Sequence, residues 1–342
     1  NYDPASAGSD YGIPLVTEYA PSSDYSKYPG RSSLKETFDF IVKDLEQASN
    51  LVGIQGEAQS AYITLDVVEA LKARVYLEME DYQNAAAAAQ GLINSKRYTL
   101  ISDGDAYKKM WLNDVGTEAI WQFAMSKTET GSNALGSSFM GIVDKLPRPS
   151  YLPVKSVLNL YDKENDIRYD AYFTTGLIDR QVGDDIEVTY CSKWPGNPEL
   201  YEGKSNNVNK LKAFRISEMY LIAAEAYAML NQEDKASEML NELKKIRIKG
   251  WTETVYNGAA LMQEIQDERV RELFAEGNRL FDMKRWKIGM KRSSSDAQRD
   301  DYLPALGTDI EKEATDNRWV WPIPKDEMDS NPQLKGQQNP GY

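Results

Sequence analysis

Residues 212–247 read KAFRISEMYLIAAEAYAMLNQEDKASEMLNELKKIR, and residues 261–286 read LMQEIQDERVRELFAEGNRLFDMKRW. In the first stretch Met219, Ile222, Ala223, Ala226 and Leu230 recur at steps of three and four, the spacing of a helix with one buried face. Asn231 to Asp234 interrupts the pattern, and Ala236, Met239, Leu240, Leu243 and Ile246 restart it. The reading is a helical hairpin, two amphipathic helices closed on each other across a short polar turn.

An earlier stretch repeats the unit. In ALKARVYLEMEDYQNAAAAAQGLIN, Tyr76 is followed nine positions on by Ala85, as Tyr227 is by Ala236. Ala73 and Ala224 each stand three residues before the tyrosine. An aromatic and a small residue on one helix, facing an alanine on the next, is the tetratricopeptide pattern. The expected fold is mainly α-helical, with tetratricopeptide-like hairpins and an irregular, loop-rich region carrying short β-strands.

The rest of the chain is placed around these hairpins. Ser33 and Glu36 form a capping box ahead of a helix lined by Leu34, Phe38, Ile41, Val42 and Leu45. Thr64 opens the next helix, and a third covers Asp81 to Ser95. Between Tyr98 and Leu211 the periodicity weakens: Glu118–Ala124 and Ile186–Cys191 read as strands and Lys155–Tyr161 as a helix. Gly258–Gly277 and Arg279–Ile288 form a last helix pair. Lys291–Asn317 is charged and polar, hence expected to be exposed and mobile. The tail from Trp319 is extended, with proline at 322, 324, 332 and 340 opposing regular helix. One domain spans 1–342: loop and first repeat helices at 1–97, an irregular candidate ligand-binding region at 98–211, repeat helices at 212–290, and the tail at 291–342.

The run ER..EL..EG.R..D..RW from Glu268 to Trp286, with RISEMYLIAAEAYA before it and WPIPKDEMDSNPQLKGQQNPGY at 321–342, resembles the SusD/RagB family. GIPLVTE at Gly12–Glu18 and RSSLKETFDFIVKDLEQA at Arg31–Ala48 resemble the family's middle section. The resemblance implies a lipid-anchored protein at the cell surface of a Gram-negative outer membrane. Such a protein binds an oligo- or polysaccharide and delivers it to a SusC-like, TonB-dependent transporter. It also implies a secretion signal, an anchor cysteine and a further helical region ahead of GIPLVTE. None of these stands in this sequence, so the chain reads as a truncated piece. A missing first repeat should leave an apolar face open, to be met by self-association or by the N-terminal loop folding over it.

Composition bounds the chemistry. The formal net charge is -13 over 342 residues, and without a run of Lys and Arg there is no nucleic-acid surface. With no histidine and a single cysteine, Cys191, the usual general base, nucleophile pairs and nitrogen or sulfur metal sites are missing, and no cofactor is implied. Glycoside hydrolysis needs only two carboxylates. The candidates Glu268, Glu272 and Glu276 lie one helical turn apart beside Arg269, Arg271, Arg279 and Arg285, and read instead as an ion-paired structural helix. No enzyme activity is therefore expected.

Sugar rings stack on flat side chains, so aromatics in turn-rich sequence are the candidate glycan contacts: Trp194, Tyr190, Tyr151, Tyr201 and Trp251, with Asn197, Asn206 and Asn207 as hydrogen-bonding partners. Two other readings stand beside glycan capture. One is a tetratricopeptide-type scaffold for protein partners, the other a carboxylate-dependent glycosidase.

Overall fold

The computed structural model describes residues 2–128, 135–143, 145–180, 183–201, 207–299 and 311–342. Its centre is two stacked hairpins. The first pairs α2 (Leu65–Glu78) with α3 (Tyr82–Ser95), and the second pairs α8 (Ile216–Met229) with α9 (Glu233–Arg247); α3 packs along α8. Ala73, Ala85, Ala224 and Ala236 are all fully buried. Four methyl-sized side chains at the crossings are what let the helix axes approach. Helix α8 is apolar almost all round because it is enclosed by α3, α9 and α10 (Gly258–Glu272).

Helix α1 (Leu34–Leu51) starts on the expected capping box: Ser33 Oγ accepts from the Glu36 amide at 3.1 Å, and Glu36 Oε2 accepts from the Ser33 amide at 2.8 Å. The N-terminal residues fold back across it. Tyr2 meets Phe38 edge-on at 4.9 Å, Ala7 is buried, and the amides of Leu34 and Lys35 donate to the carbonyls of Asp10 and Ala7. Arg31 then ties this strap to the distant tail, donating to Gln337 O and Asn339 Oδ1, each at 2.8 Å.

The middle region is less loop-like than its composition suggests. Helix α4 (Gly104–Leu112) is followed by β1 (Ala119–Gln122), α5 (Leu135–Met140), the short pair β2 (Ile142–Val143) and β3 (Leu146–Pro147), α6 (Lys155–Leu158) and α7 (Ile167–Tyr172). Strands β4 (Phe173–Ile178) and β5 (Ile186–Cys191) form an antiparallel hairpin in register Phe173↔Cys191 to Ile178↔Ile186. Strand β6 (Lys212–Arg215) pairs antiparallel with β1 and runs straight into α8. Tyr107, Met110, Trp111, Tyr161, Tyr172, Phe173 and Trp194 make a second, aromatic core in this region.

At the far end α10 stops at Glu272, short of the expected Gly277. Ala275 and Gly277 both take positive φ, at 58° and 85°, and turn the chain into α11 (Arg279–Arg285). Of the expected mobile stretch, residues 300–310 lie outside the described residues. Residues up to 299 are anchored: Asp296 accepts from the amide and hydroxyl of Ser156, and Gln298 Nε2 donates to Pro153 O and Thr189 O. Strands β7 (Met290–Lys291) and β8 (Glu311–Lys312) pair across the gap. The tail contains one short helix, α12 (Lys325–Ser330), where Pro324 is tolerated because it stands before the first helical turn.

Candidate functional site

Beneath the C-terminal turn lies a buried ionic lattice. Glu272 Oε1 accepts from Arg215 Nη1 at 2.8 Å and from Arg247 Nη2 at 2.9 Å, and its Oε2 from Arg247 Nε at 3.0 Å. Glu118, placed by β1, accepts from the same two guanidiniums at 3.1 and 2.8 Å. Arg168 bridges Asp166 and Glu268 at 2.7 and 2.5 Å. Burial alone would raise Glu272 and Glu268, but the Arg charges around them outweigh it: Arg247 and Arg215 hold Glu272 well below its ordinary value, and Arg168 and Arg271 bring Glu268 down to about 2. Glu276 accepts from Lys193 and Arg215 at 2.7 and 2.6 Å and is lowered in the same way. A hydrolytic acid needs a raised pKa. All three members of the trio are instead held ionised.

Glu276 carries the lattice to the lining of a groove of about 740 Å3, a size typical of small-ligand sites. Tyr2, Phe38, Phe123, Leu135, Leu211, Phe281 of α11 and the 275–278 turn line it. Phe281, Phe123, Leu135 and Leu211 are 55%, 44%, 37% and 37% exposed, so the groove presents flat and aliphatic surface to solvent. Its polar groups are engaged with one another. Arg74 donates to both carboxylate oxygens of Glu218 at 2.9 and 2.7 Å and lies over Phe214 at 4.1 Å. Lys212 reaches Asp114 at 2.9 Å, and Arg269 reaches Asp282 at 2.7 Å. Glu78 accepts from Arg285 at 2.6 Å, and burial raises its pKa above the usual range.

Of the sequence-derived contact residues that are described, only Trp194 borders the groove. It is 2% exposed, packs edge-on against Trp111 at 5.1 Å and donates Nε1 to Ala275 O at 3.1 Å, so its faces belong to the aromatic core. Asn197 is engaged inside the fold: Nδ2 donates to Asn113 O and Asp114 Oδ2, and Oδ1 caps the turn at Glu199. Tyr190 is buried in the small core under the β4–β5 hairpin. Tyr151 is 64% exposed beside Phe139, and Tyr201 is 40% exposed on a different loop. Trp251 donates to Asn241 Oδ1 at 3.0 Å and covers the Lys244 ammonium at 4.0 Å. Asn206 lies outside the described residues, and Asn207 is buried.

Trp194, Tyr190, Tyr151, Tyr201, Trp251 and Asn197 are not brought together. Of the groove residues that sequence reasoning missed, Phe281 had a legible signal: it stands beside Leu280 in a short helix, where one inward stripe cannot bury both. Among the described residues no group of three or more His, Cys, Asp or Glu is arranged to hold a metal ion. Among them, too, no helix is long and apolar enough to cross a membrane.

Residues 174–342 match the model of the SusD family. The chain is similar to SusD-like protein P38 of Formosa agariphila, at 25% identity over 95% of this chain and 69% of the relative. SusD-like protein P25 of the same organism is 22% identical over 81% of this chain, which spans 59% of that relative. Among solved structures, a SusD superfamily protein of Bacteroides thetaiotaomicron superposes with TM-score 0.78 at 28% identity, over 97% of this chain and 72% of that one. A Bacteroides vulgatus protein assigned as sugar-binding superposes with TM-score 0.74 at 25% identity, over 98% of this chain and 71% of its own.

Proposed function

This chain belongs to the SusD/RagB family, and on that premise we propose that it captures a glycan at the cell surface without cleaving it and delivers it to a TonB-dependent outer-membrane transporter. Capture needs affinity and no reacting group. The observation that carries the reading is the groove itself, whose exposed Phe281, Phe123, Leu135 and Leu211 offer apolar surface to the C–H faces of sugar rings. Tyr151, Tyr201 and Trp251 remain candidate contacts for a longer chain leaving the groove. A peptide-binding scaffold would want a concave face lined by free Lys, Arg and Asn, and the groove's Arg74, Lys212 and Arg269 are tied to internal carboxylates.

The test is a screen of the protein against neutral and charged polysaccharides by affinity gel and calorimetry, with product analysis of every positive. The expected result is retention without cleavage, weakened several-fold by Phe281→Ala or Phe123→Ala at unchanged melting temperature. Cleavage abolished by Glu78→Gln would move the assignment to a glycosidase. Silence across the panel would overturn the capture reading.

A further inference from the structure

We infer that the groove discriminates by charge and takes a neutral glycan in preference to one carrying uronate or sulfate groups; this rests on the capture reading above. Recognition of an acidic sugar requires a cation free to pair with it, best a guanidinium offering two parallel donors. Among the described residues four cations line the groove: Arg74, Lys212, Arg269 and Lys284. Nε and Nη2 of Arg74 are used, by both oxygens of Glu218 and by Ala213 O at 2.9 Å, so its charge is already met by an internal carboxylate. Lys212 is sequestered on Asp114 with its side chain fully buried. Arg269 is 3% exposed and paired with Asp282; its Nη1 has no partner but is sealed from solvent. Burial lowers the pKa of Lys284, against the opposing field of Glu78. Among the described residues, Arg74, Lys212 and Arg269 are thus each already paired with an internal carboxylate.

The wider field points the same way. Among the described residues nine buried carboxylates are matched by nine buried Lys and Arg, so the whole formal charge of -13 is carried by the remainder of the chain. An anionic sugar would approach against that field and then lose water in a groove whose described Arg74, Lys212 and Arg269 are already paired with carboxylates. A neutral ring meets neither cost.

The experiment is calorimetry of the intact chain with size-matched oligomers: neutral gluco-, manno- and xylo-oligosaccharides against oligogalacturonate and chondroitin sulfate fragments, at about 50 and about 500 mM NaCl, which shortens the screening length roughly threefold. At least one neutral oligomer should bind with a Kd that changes less than about twofold with salt, and the anionic set should bind at least about tenfold more weakly. Phe281→Lys, which adds one free cation at an exposed groove position, should bring in oligogalacturonate with an affinity that falls as salt rises. Salt-sensitive binding of an anionic oligomer by the unmodified chain overturns the inference while leaving capture intact. Failure of Phe281→Lys to gain it also overturns the inference, because the sugar then lies elsewhere. Silence towards every oligomer overturns capture and this inference together.

Discussion

Arg215 Nη1 stands 2.8 Å from Glu272 Oε1, with the two side chains 1% and 0% exposed. That contact joins the residue at the β6–α8 junction to the end of α10, and the same guanidinium reaches Glu118 at the β1 edge. Three elements distant in sequence are thus fixed by one charge.

Glu272→Gln should therefore be among the most damaging isosteric changes in the chain. It leaves Arg215 and Arg247 buried with one carboxylate fewer, which costs about 3–5 kcal/mol when one partner of a buried ionic cluster is removed. Urea unfolding of the variant measures it. A loss under about 1 kcal/mol would mean that water already screens the lattice.

Glu268 gives the lattice a pH signature. Its folded pKa, about 2, lies below the ordinary 4.5, so its stabilisation is complete above about pH 4.5 and is lost as pH falls towards 2, by about 3 kcal/mol in all. Lys193 acts in the opposite sense: burial lowers it from 10.5 to about 8, so its penalty is full below pH 8 and fades as pH rises to 10.5. Melting temperature against pH should fall steeply on the acid side, and Glu268→Gln should flatten that slope. An unchanged slope would place acid sensitivity elsewhere.

Trp194→Ala and Tyr151→Ala separate core from surface. The first deletes an indole enclosed by Trp111 and Lys212 and should cost about 3–5 kcal/mol. The second removes a ring that is 64% exposed and should stay within about 0.5 kcal/mol. Any loss of glycan retention in Tyr151→Ala would then be a binding effect, whereas in Trp194→Ala it would follow unfolding.

Gly12→Ala tests the strap. A Cβ built there would lie 2.0 Å from Thr37 Oγ1 and 2.6 Å from the Ser33 carbonyl oxygen. Rotating Thr37 cannot relieve the backbone contact. A loss of about 1–3 kcal/mol is expected in thermal melts, together with faster proteolysis of the strap.

The hairpins were legible in the sequence because burial there is periodic: alanines at the crossings and caps at Ser33, Thr64 and Asp81 each state a local rule. The groove was not, because its lining comes from the strap, α1, α2, α5, β6 and α11, and no period links Phe38 to Phe281. Trp194 and Asn197 read as loop residues in the sequence yet are buried, for a physical reason. Gly, Pro and Asn mark a segment as irregular, but not which of its faces points inward. Here the segment is covered by α5, where a Cβ on Gly136 would lie 2.3 Å from Trp194 O. Glu118 shows the reverse: read only as the edge of a strand, it is the anchor of two buried arginines.

The strap clasp also has a consequence in time. Arg31 and the Gln337 carbonyl that holds it are 306 residues apart in sequence. At about 5–20 residues per second, a ribosome takes roughly 15–60 s to make the intervening chain. Through that interval the strap around Gly12 holds only its local bonds to Arg31, Ser32 and the start of α1, so the clasp to the tail is among the last contacts of assembly.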